Sequence, residues 1–547
     1  MARTPIADSL RRLFSEHLAA RRTGLPLDVI RECRSAQADQ RHAHGISRRD
    51  FLIGSAAAAL TAPLPRPAVS ATAAPRIAIV GGGIAGLACA LQLADQGVAA
   101  TVYEAAGRVG GRMFSNNTGY WDQGQISEWG GELIDTDHRT IRRLAKRFRL
   151  RLDDVLAAEP AGAEDTYYFN GDYYTRTDAD RDFAEILDAV IADVKSAPFP
   201  TTYDSFTPAG QQLDRMTIRQ WIGSRVPGGN SSPLGRLLGN AYAPELGADI
   251  EDQSALNLLY LLGFQPDQTG FSIFGVSDER FHIRGGNEQL PRAIADAIGP
   301  GDALKLGYQL SRIQQTAGGR YRLAFDLMNG GSEDITADLV VLALPFAVLR
   351  RLDFKDAGFD PLKQRAIAEL GRGRNAKLQL QFDSRVWNKT GPWPGISNGS
   401  SYADTGYQST WEVTRGQAGS SGILNHFSGG SVAAAMAATT AFATSRNPSI
   451  LQDATQVLKQ SAPVFPGFDK HWNGKATLSL PHLSRFFRSS YAYYRPGQYT
   501  SFGGYEKRRQ SGVFFCGEHT STNFQGYMEG GASEGERVAR VITKLLA

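Results

Sequence analysis

The chain has 547 residues, too many for one ordinary core, and its 42% hydrophobic and 21% charged residues fit a folded protein rather than a disordered or low-complexity one. Its net charge of +4 is unevenly spread: residues 1–73 hold eleven Arg and six acids, leaving 48 basic and 49 acidic residues in the remainder. The basic pI therefore belongs to the leading segment and argues for no nucleic-acid partner. Three cysteines, Cys33, Cys89 and Cys516, show neither paired nor metal-ligand spacing, so we expect no disulfide framework and no metal site.

The first 73 residues read as a leader. An amphipathic helix is predicted around residues 7–22, with no assigned role. Ser47-Arg48-Arg49-Asp50-Phe51-Leu52-Ile53 resembles a twin-arginine export signal. An apolar run to Ala62 and the small-residue site Ala71-Thr72-Ala73 follow it. The run is too short for a permanent membrane span. The resemblance implies that the twin-arginine translocation machinery exports the folded, cofactor-loaded chain, to the periplasm.

From Arg76 the pattern becomes regular. Residues Arg76–Val80 form a β-branched run, Gly81-Gly82-Gly83-Ile84-Ala85-Gly86 comes at once after it, and a helix is predicted to about Gln96, ended by Gly97. The second strand closes on Glu104. This strand–GxGxxG–helix–strand–acid unit is the dinucleotide-binding arrangement. Gly81 permits the turn, Gly83 admits a pyrophosphate to the backbone, and Gly86 lets helix and strand pack closely. The helix N-terminus offers free N–H groups, and Glu104 faces ribose hydroxyls.

Beyond Glu104 the chain resembles the FAD-dependent amine oxidase superfamily. The resemblance is carried by Gly107-Arg108-Val109-Gly110-Gly111-Arg112, Glu128-Trp129-Gly130-Gly131-Glu132, Arg284-Gly285-Gly286-Asn287, Gly512–Thr520 and Gly526–Ala532. It implies FAD rather than NAD. Arg112 would continue along the pyrophosphate, and Gly130 and Gly131 would pass the flavin ring. Leu310 would back the adenine end, and Glu518 would bind the ribityl and phosphate region. Gly526 and Met528 would reach the flavin edge, with a helix over Ser533–Leu546 behind them. A buried strand is predicted over Leu339–Leu344, stopped by Pro345, and His519 reads as structural.

The implied fold is α/β. A Rossmann-like FAD domain in three segments (74–145, 271–346, 475–547) is joined to a monoamine-oxidase-like α+β substrate domain (146–270, 347–474). By the same resemblance, Lys377, on an alternating strand Ala376–Phe382, holds a water beside flavin N5. Tyr527 forms one wall of an aromatic cage for a neutral amine. The family's Pro-Gly turn, aligned on Arg495-Pro496-Gly497, puts Ser490 at the second cage wall and Ser489 where relatives carry a flavin-linked cysteine. We therefore expect non-covalent FAD and an incomplete cage, with Tyr491 or Tyr493 entering it if the register shifts.

The implied reaction is hydride transfer from the carbon beside nitrogen to the flavin, with oxygen as the acceptor. The substrate is expected to be a primary amine, mono- or polyamine. An L-amino-acid oxidase would need a carboxylate clamp, and Met113–Asn117 has no cation, which leaves Arg284, Arg374 or Arg495. Glu128, Glu132 and Asp135 suit a polyamine tunnel or a surface run. Desaturation, a dehydrogenase feeding a quinone or cytochrome, and a flavin module without turnover stay open. Oligomeric state is not readable.

Overall fold

A computed structural model describes residues 74–265, 271–299 and 301–547. Cys33, the helix near residues 7–22, the Ser47–Ile53 motif and the Ala71–Ala73 site lie outside the described residues.

The short β-branched runs become the buried strands their composition demands. Val513–Phe515, Leu339–Leu342, Ile77–Val80, Thr101–Glu104 and Leu304–Leu306 lie side by side in that order, and every pairing is parallel. Helix Ile84–Ala94 follows the first strand and ends before Gly97, which adopts φ +71°. Helix Met528–Leu546 lies across it. Small residues set that approach: a Cβ on Gly531 would stand 3.0 Å from the Ile84 side chain, and one on Gly535 would overlap the Ala85 carbonyl. A three-stranded antiparallel sheet (Tyr308–Gln315, Tyr321–Leu327, Ser332–Ala337) packs alongside, its Phe325 stacked on Tyr103 at 4.8 Å. This is the expected Rossmann-like α/β layering.

Two boundaries differ from expectation. The strand predicted to reach Leu344 ends at Leu342, because the chain turns where the Ala343 carbonyl abuts Gly81. The last helix begins at Met528, five residues before Ser533. Gly530 and Gly531 suggest a loop, but they are helical and serve the close contact with Ile84–Ala94.

The other half is an eight-stranded mixed sheet. Its order is Phe442–Thr444, Trp472–Ser479, Asn375–Phe382, Gly422–Gly429, Ser409–Glu412, Ile396–Ala403, Ala163–Phe169, Asp172–Tyr174. Strand Trp472–Ser479 straddles the boundary expected at 474. Five helices between Arg176 and Leu262 build a separate apolar core against it. Each starts on a Thr or Ser (Thr175, Thr207, Thr217, Ser232, Ser254) whose hydroxyl accepts a first-turn N–H. Residues Pro75–Ala547 form one compact unit. Among the described residues, no helix is long and apolar enough to cross a membrane, and no cluster of His, Cys, Asp or Glu is placed to hold a metal.

Candidate active site

The nucleotide end is made of backbone. A Cβ on Gly81 would come within 2.6 Å of the Ala343 carbonyl, and one on Gly86 would overlap the Gly81 carbonyl. Both glycines are therefore required by the protein's own packing. Gly83 is different: a Cβ there would meet nothing nearer than the Gly111 Cα at 4.0 Å. Gly526, at φ +90°, likewise faces open space, bounded by the Tyr491 ring at 3.9 Å. Helices Ile84–Ala94 and Met528–Leu546 both start without a side-chain cap, leaving N–H groups unanswered. Two open cradles and two uncapped helix ends are what a dinucleotide diphosphate requires, so the residues present fit FAD.

Glu104 is buried where the acid of the motif is expected. Its Oε2 accepts from the Gly82 amide at 2.6 Å and its Oε1 from the Ala106 amide at 2.7 Å. Burial raises its pKa. Leu310 is buried in the antiparallel sheet, opposite Phe325 and beside a bulge.

Arg112 and Glu518, 406 residues apart, meet at 2.8 Å, and Arg112 also donates to the Ser490 carbonyl at 2.7 Å. The other oxygen of Glu518 accepts from the Gly526 amide at 3.0 Å. His519 is buried behind this pair, 4.5 Å from the Phe346 ring centroid. Neither ring nitrogen has a partner, and burial lowers its pKa to about 4. A neutral packing role fits the structural assignment.

Gly130 and Gly131 thread between these groups. A Cβ on Gly130 would overlap the Arg112 carbonyl, and one on Gly131 would sit 2.8 Å from the Met528 sulfur. Here Arg112, Gly130, Gly131 and Met528 converge.

Lys377 sits on strand Asn375–Phe382, with Phe427 and Ser479 opposite it on the flanking strands. Every residue of the strand is buried, so the alternation does not mark a solvated face. The Lys377 ammonium lies 2.5 Å from Glu132 Oε2 and 3.0 Å from the Gly130 carbonyl. Trp411 Nε1 donates to the other Glu132 oxygen at 2.8 Å. Burial alone would raise the Glu132 carboxyl, but the Lys377 charge and these donors hold it below the usual range.

Of the registers left open by the sequence alignment, the ribbon takes the one shifted by a single position. Ser490, expected at the second wall, is buried in the ribbon, its hydroxyl on Asn375 Oδ1 at 2.5 Å. The Ser489 hydroxyl bonds the Phe487 carbonyl at 3.4 Å. The ring beside Gly526 belongs to Tyr491, whose hydroxyl donates to the Pro244 carbonyl at 2.8 Å. The Tyr527 hydroxyl donates to Glu245 Oε1 at 3.3 Å. Both tyrosines thus converge on the end of helix Pro233–Leu246. Pairing of Gly371–Arg372 with Ala492–Tyr493 sets this register, placing Ser490 on Asn375 and the Tyr491 ring beside Gly526. Tyr493 is buried in the ribbon.

A cavity of about 260 Å³ adjoins this constellation, lined among others by Glu132, Glu159, Asp165, Glu279, Trp411 and Arg415. Arg415 is held by Glu159 at 2.5 Å and by the Ser400 hydroxyl at 2.9 Å. Arg176, also on the wall, pairs with Asp180. None of Arg284, Arg374 and Arg495 lines it: Arg284 pairs with Asp153, and the other two are exposed to solvent.

The acids considered from sequence are buried rather than a surface run, and they separate in role. Glu132 faces the cavity. Glu128 is turned away onto His282, the Asn287 amide and Ser115. Asp135 accepts from Ser277 and the Glu279 amide.

Sequence reasoning missed Glu245, Glu279 and Trp411. Burial pushes Glu245 up to about 7, with the Asp135 charge adding to the shift and the Tyr527 hydrogen bond opposing it. Burial also raises Glu279 well above its usual range, reinforced by Glu245 and Asp135. No ion pair reaches Glu245 or Glu279 among the described residues. The Pro244-Glu245 pair inside a helix was the one local sign, since Pro there frees a carbonyl.

The model of the family described as flavin containing amine oxidoreductase matches residues 84–543. A flavin-containing amine oxidase of Danio rerio is 24% identical over 481 residues, covering 85% of each chain. An L-amino-acid oxidase of Crotalus adamanteus is 24% identical over 361 residues, 61% of this chain and 63% of that one. Among solved structures, cyclohexylamine oxidase from Brevibacterium oxydans IH-35A superposes with a TM-score of 0.71 at 21% identity. A putrescine oxidase bound to putrescine gives 0.70 at 18%; each comparison covers 86% of this chain and 99% of the other. At these identities the superpositions establish a common fold.

Proposed function

The chain belongs to the flavin-containing amine oxidoreductase family, and from that premise we propose that it oxidises a primary amine, mono- or polyamine, to an imine with non-covalently held FAD. Bound in the cradle, FAD supplies the two-electron acceptor, N5, and after reoxidation by oxygen yields hydrogen peroxide. Gly81, Gly83, Gly86 and Glu104 would hold the adenosine diphosphate half; Arg112, Glu518, Gly526 and Met528 would hold the flavin half. Ser489 and Ser490 offer no thiol for a covalent link, and the described cysteines, Cys89 and Cys516, are buried in the core.

The chain's residues bind, orient and desolvate. Tyr527 and Tyr491 present their rings to the amine. Lys377, fixed by Glu132, holds a water at the flavin edge. The imine leaves and hydrolyses in water to a carbonyl compound and ammonia.

The observation that carries this reading is the cavity. Among the charged residues on its wall six acids face two arginines and one histidine, and both arginines are already engaged by carboxylates. That environment favours an ammonium-bearing substrate and disfavours a carboxylate-bearing one. The twin-arginine route to the periplasm is part of the proposal and rests on the sequence of Ser47–Ile53, the apolar run to Ala62 and the small-residue site Ala71–Ala73. The test is anaerobic flavin bleaching by a panel of amines and L-amino acids, followed by readmission of oxygen. Bleaching by amino acids alone would assign the chain to L-amino-acid oxidation. Bleaching by amines without reoxidation by oxygen would assign it to dehydrogenation with a quinone or cytochrome acceptor.

A further inference from the structure

We propose that Glu245 is the general base that takes the proton from the substrate's ammonium group. The inference rests on the amine-oxidase reading above. A primary amine has a pKa like that of a lysine side chain, about 10, and so arrives protonated at neutral pH. An ammonium nitrogen has no lone pair to form the C=N bond as hydride departs. The proton must leave first.

Two carboxylates here have no ion-pair partner among the described residues, Glu279 on the cavity wall and Glu245 behind it, and Glu245 is the one hydrogen-bonded to Tyr527. Glu245 reaches the Tyr527 hydroxyl at 3.3 Å, and the Tyr491 hydroxyl sits on the adjoining Pro244 carbonyl. The titratable groups acting on this carboxylate from the surrounding elements are Tyr242, Tyr402, Tyr491, Tyr527, Asp135 and Glu279. None is a cation. Asp135 is occupied by the Ser277 hydroxyl at 2.7 Å and the Glu279 amide at 3.0 Å. Lys377 is occupied by Glu132. Among the described residues Glu245 has a single donor, the Tyr527 hydroxyl, and retains free lone pairs.

In the step, an N–H bond of the ammonium breaks and an O–H bond forms on Glu245, with the electron pair remaining on nitrogen. Hydride then leaves the neighbouring carbon for the flavin, and the lone pair closes the C=N bond. Glu245 returns its proton to water when the iminium product departs. A carboxyl with its pKa raised to about 7 by burial suits this work, because it ionises just below the pH at which it must act.

The test uses the full-length, FAD-loaded protein and the fastest-reducing amine among n-butylamine, benzylamine, cyclohexylamine and putrescine. Flavin reduction at low amine concentration is followed against pH. Wild type should fall off below about pH 7 and stay level from there toward the ammonium pKa, about 10. Glu245→Gln should be about 100-fold slower at pH 8, rise tenfold per pH unit, and approach wild type near pH 10 as free amine accumulates. Tyr527→Phe, which removes the donor that lowers the Glu245 pKa, should move the acid limb upward. Without substrate, the infrared difference between wild type and Glu245→Gln should contain a carboxyl stretch that titrates near pH 7, over the background of Glu506, which burial also raises to about 7.

A Glu245→Gln profile parallel to wild type at every pH would make Glu245 a prop for Tyr527 and overturn the inference alone, as would an acid limb unmoved by Tyr527→Phe. Wild type reduced by none of the amines would overturn the amine-oxidase reading, and this inference with it.

Discussion

The two ends of the site are made of different material. The nucleotide end is backbone: open glycines at Gly83 and Gly526, two uncapped helix starts, and amides held by Glu104 and Glu518. The substrate end is side chain: Lys377, Glu132, Trp411, Tyr491, Tyr527 and Glu245, drawn from six segments. A backbone site depends on glycine spacing within one local turn. A side-chain site depends on where distant strands and helices place single residues. The first is rigid and stabilises the fold that holds it. The second packs partly buried carboxylates close together, which costs stability.

That contrast can be broken or sharpened by substitution. The largest effect should come at the nucleotide end. Gly86→Ala drives a Cβ into the Gly81 carbonyl and should cost about 3 kcal/mol or more, lowering the melting temperature and abolishing FAD retention. Gly83→Ala separates cradle from fold. Its Cβ meets open space, so the apoprotein should melt within about 1 kcal/mol of wild type. FAD, titrated by the quenching of its fluorescence, should nonetheless bind at least about 10-fold more weakly. Equal loss of both would mean that Gly83 serves packing only.

At the substrate end the order reverses. Lys377→Met should retain FAD yet slow turnover of the flavin by about 100-fold, read by stopped flow. Glu245→Gln should stabilise the apoprotein. A carboxyl raised from 4.5 to about 7 in the folded state keeps its full stability below its unfolded pKa and loses it as pH rises through 7. Relief should therefore be absent below about pH 4 and reach about 3 kcal/mol at pH 8, read as a difference between melting curves. A variant no more stable than wild type at pH 8 would mean that ionised Glu245 costs the fold nothing. The smallest effect belongs to neither end: Asp95→Asn breaks an exposed pair with Arg147 and should cost about 0.5 kcal/mol in a denaturant titration.

The same contrast governs what was legible in the sequence. Strand Ile77–Val80, the glycine turn, helix Ile84–Ala94 and Glu104 were readable because each signal lies within thirty residues and serves one local geometry. Arg112 and Glu518 were readable as separate motifs, but their 2.8 Å contact was not, since it spans 406 residues. The register after Phe487 stayed open in the sequence by one or two positions, among Ser490, Tyr491 and Tyr493. The Pro-Gly turn fixes spacing only to itself, whereas pairing of Gly371–Arg372 with Ala492–Tyr493 decides which side chain faces Tyr527. Glu245 carries no motif: its role comes from burial beside Tyr527, 282 residues away. Glu128 and Glu132 looked alike in sequence; only the fold turns one onto His282 and the other onto Lys377.

The most direct test is to mix the FAD-loaded chain anaerobically with primary amines and with L-amino acids and to follow the flavin's visible absorbance. Bleaching by amines, with none by L-amino acids, is the expected result. Bleaching by L-amino acids alone, or by nothing while FAD stays bound, would contradict it.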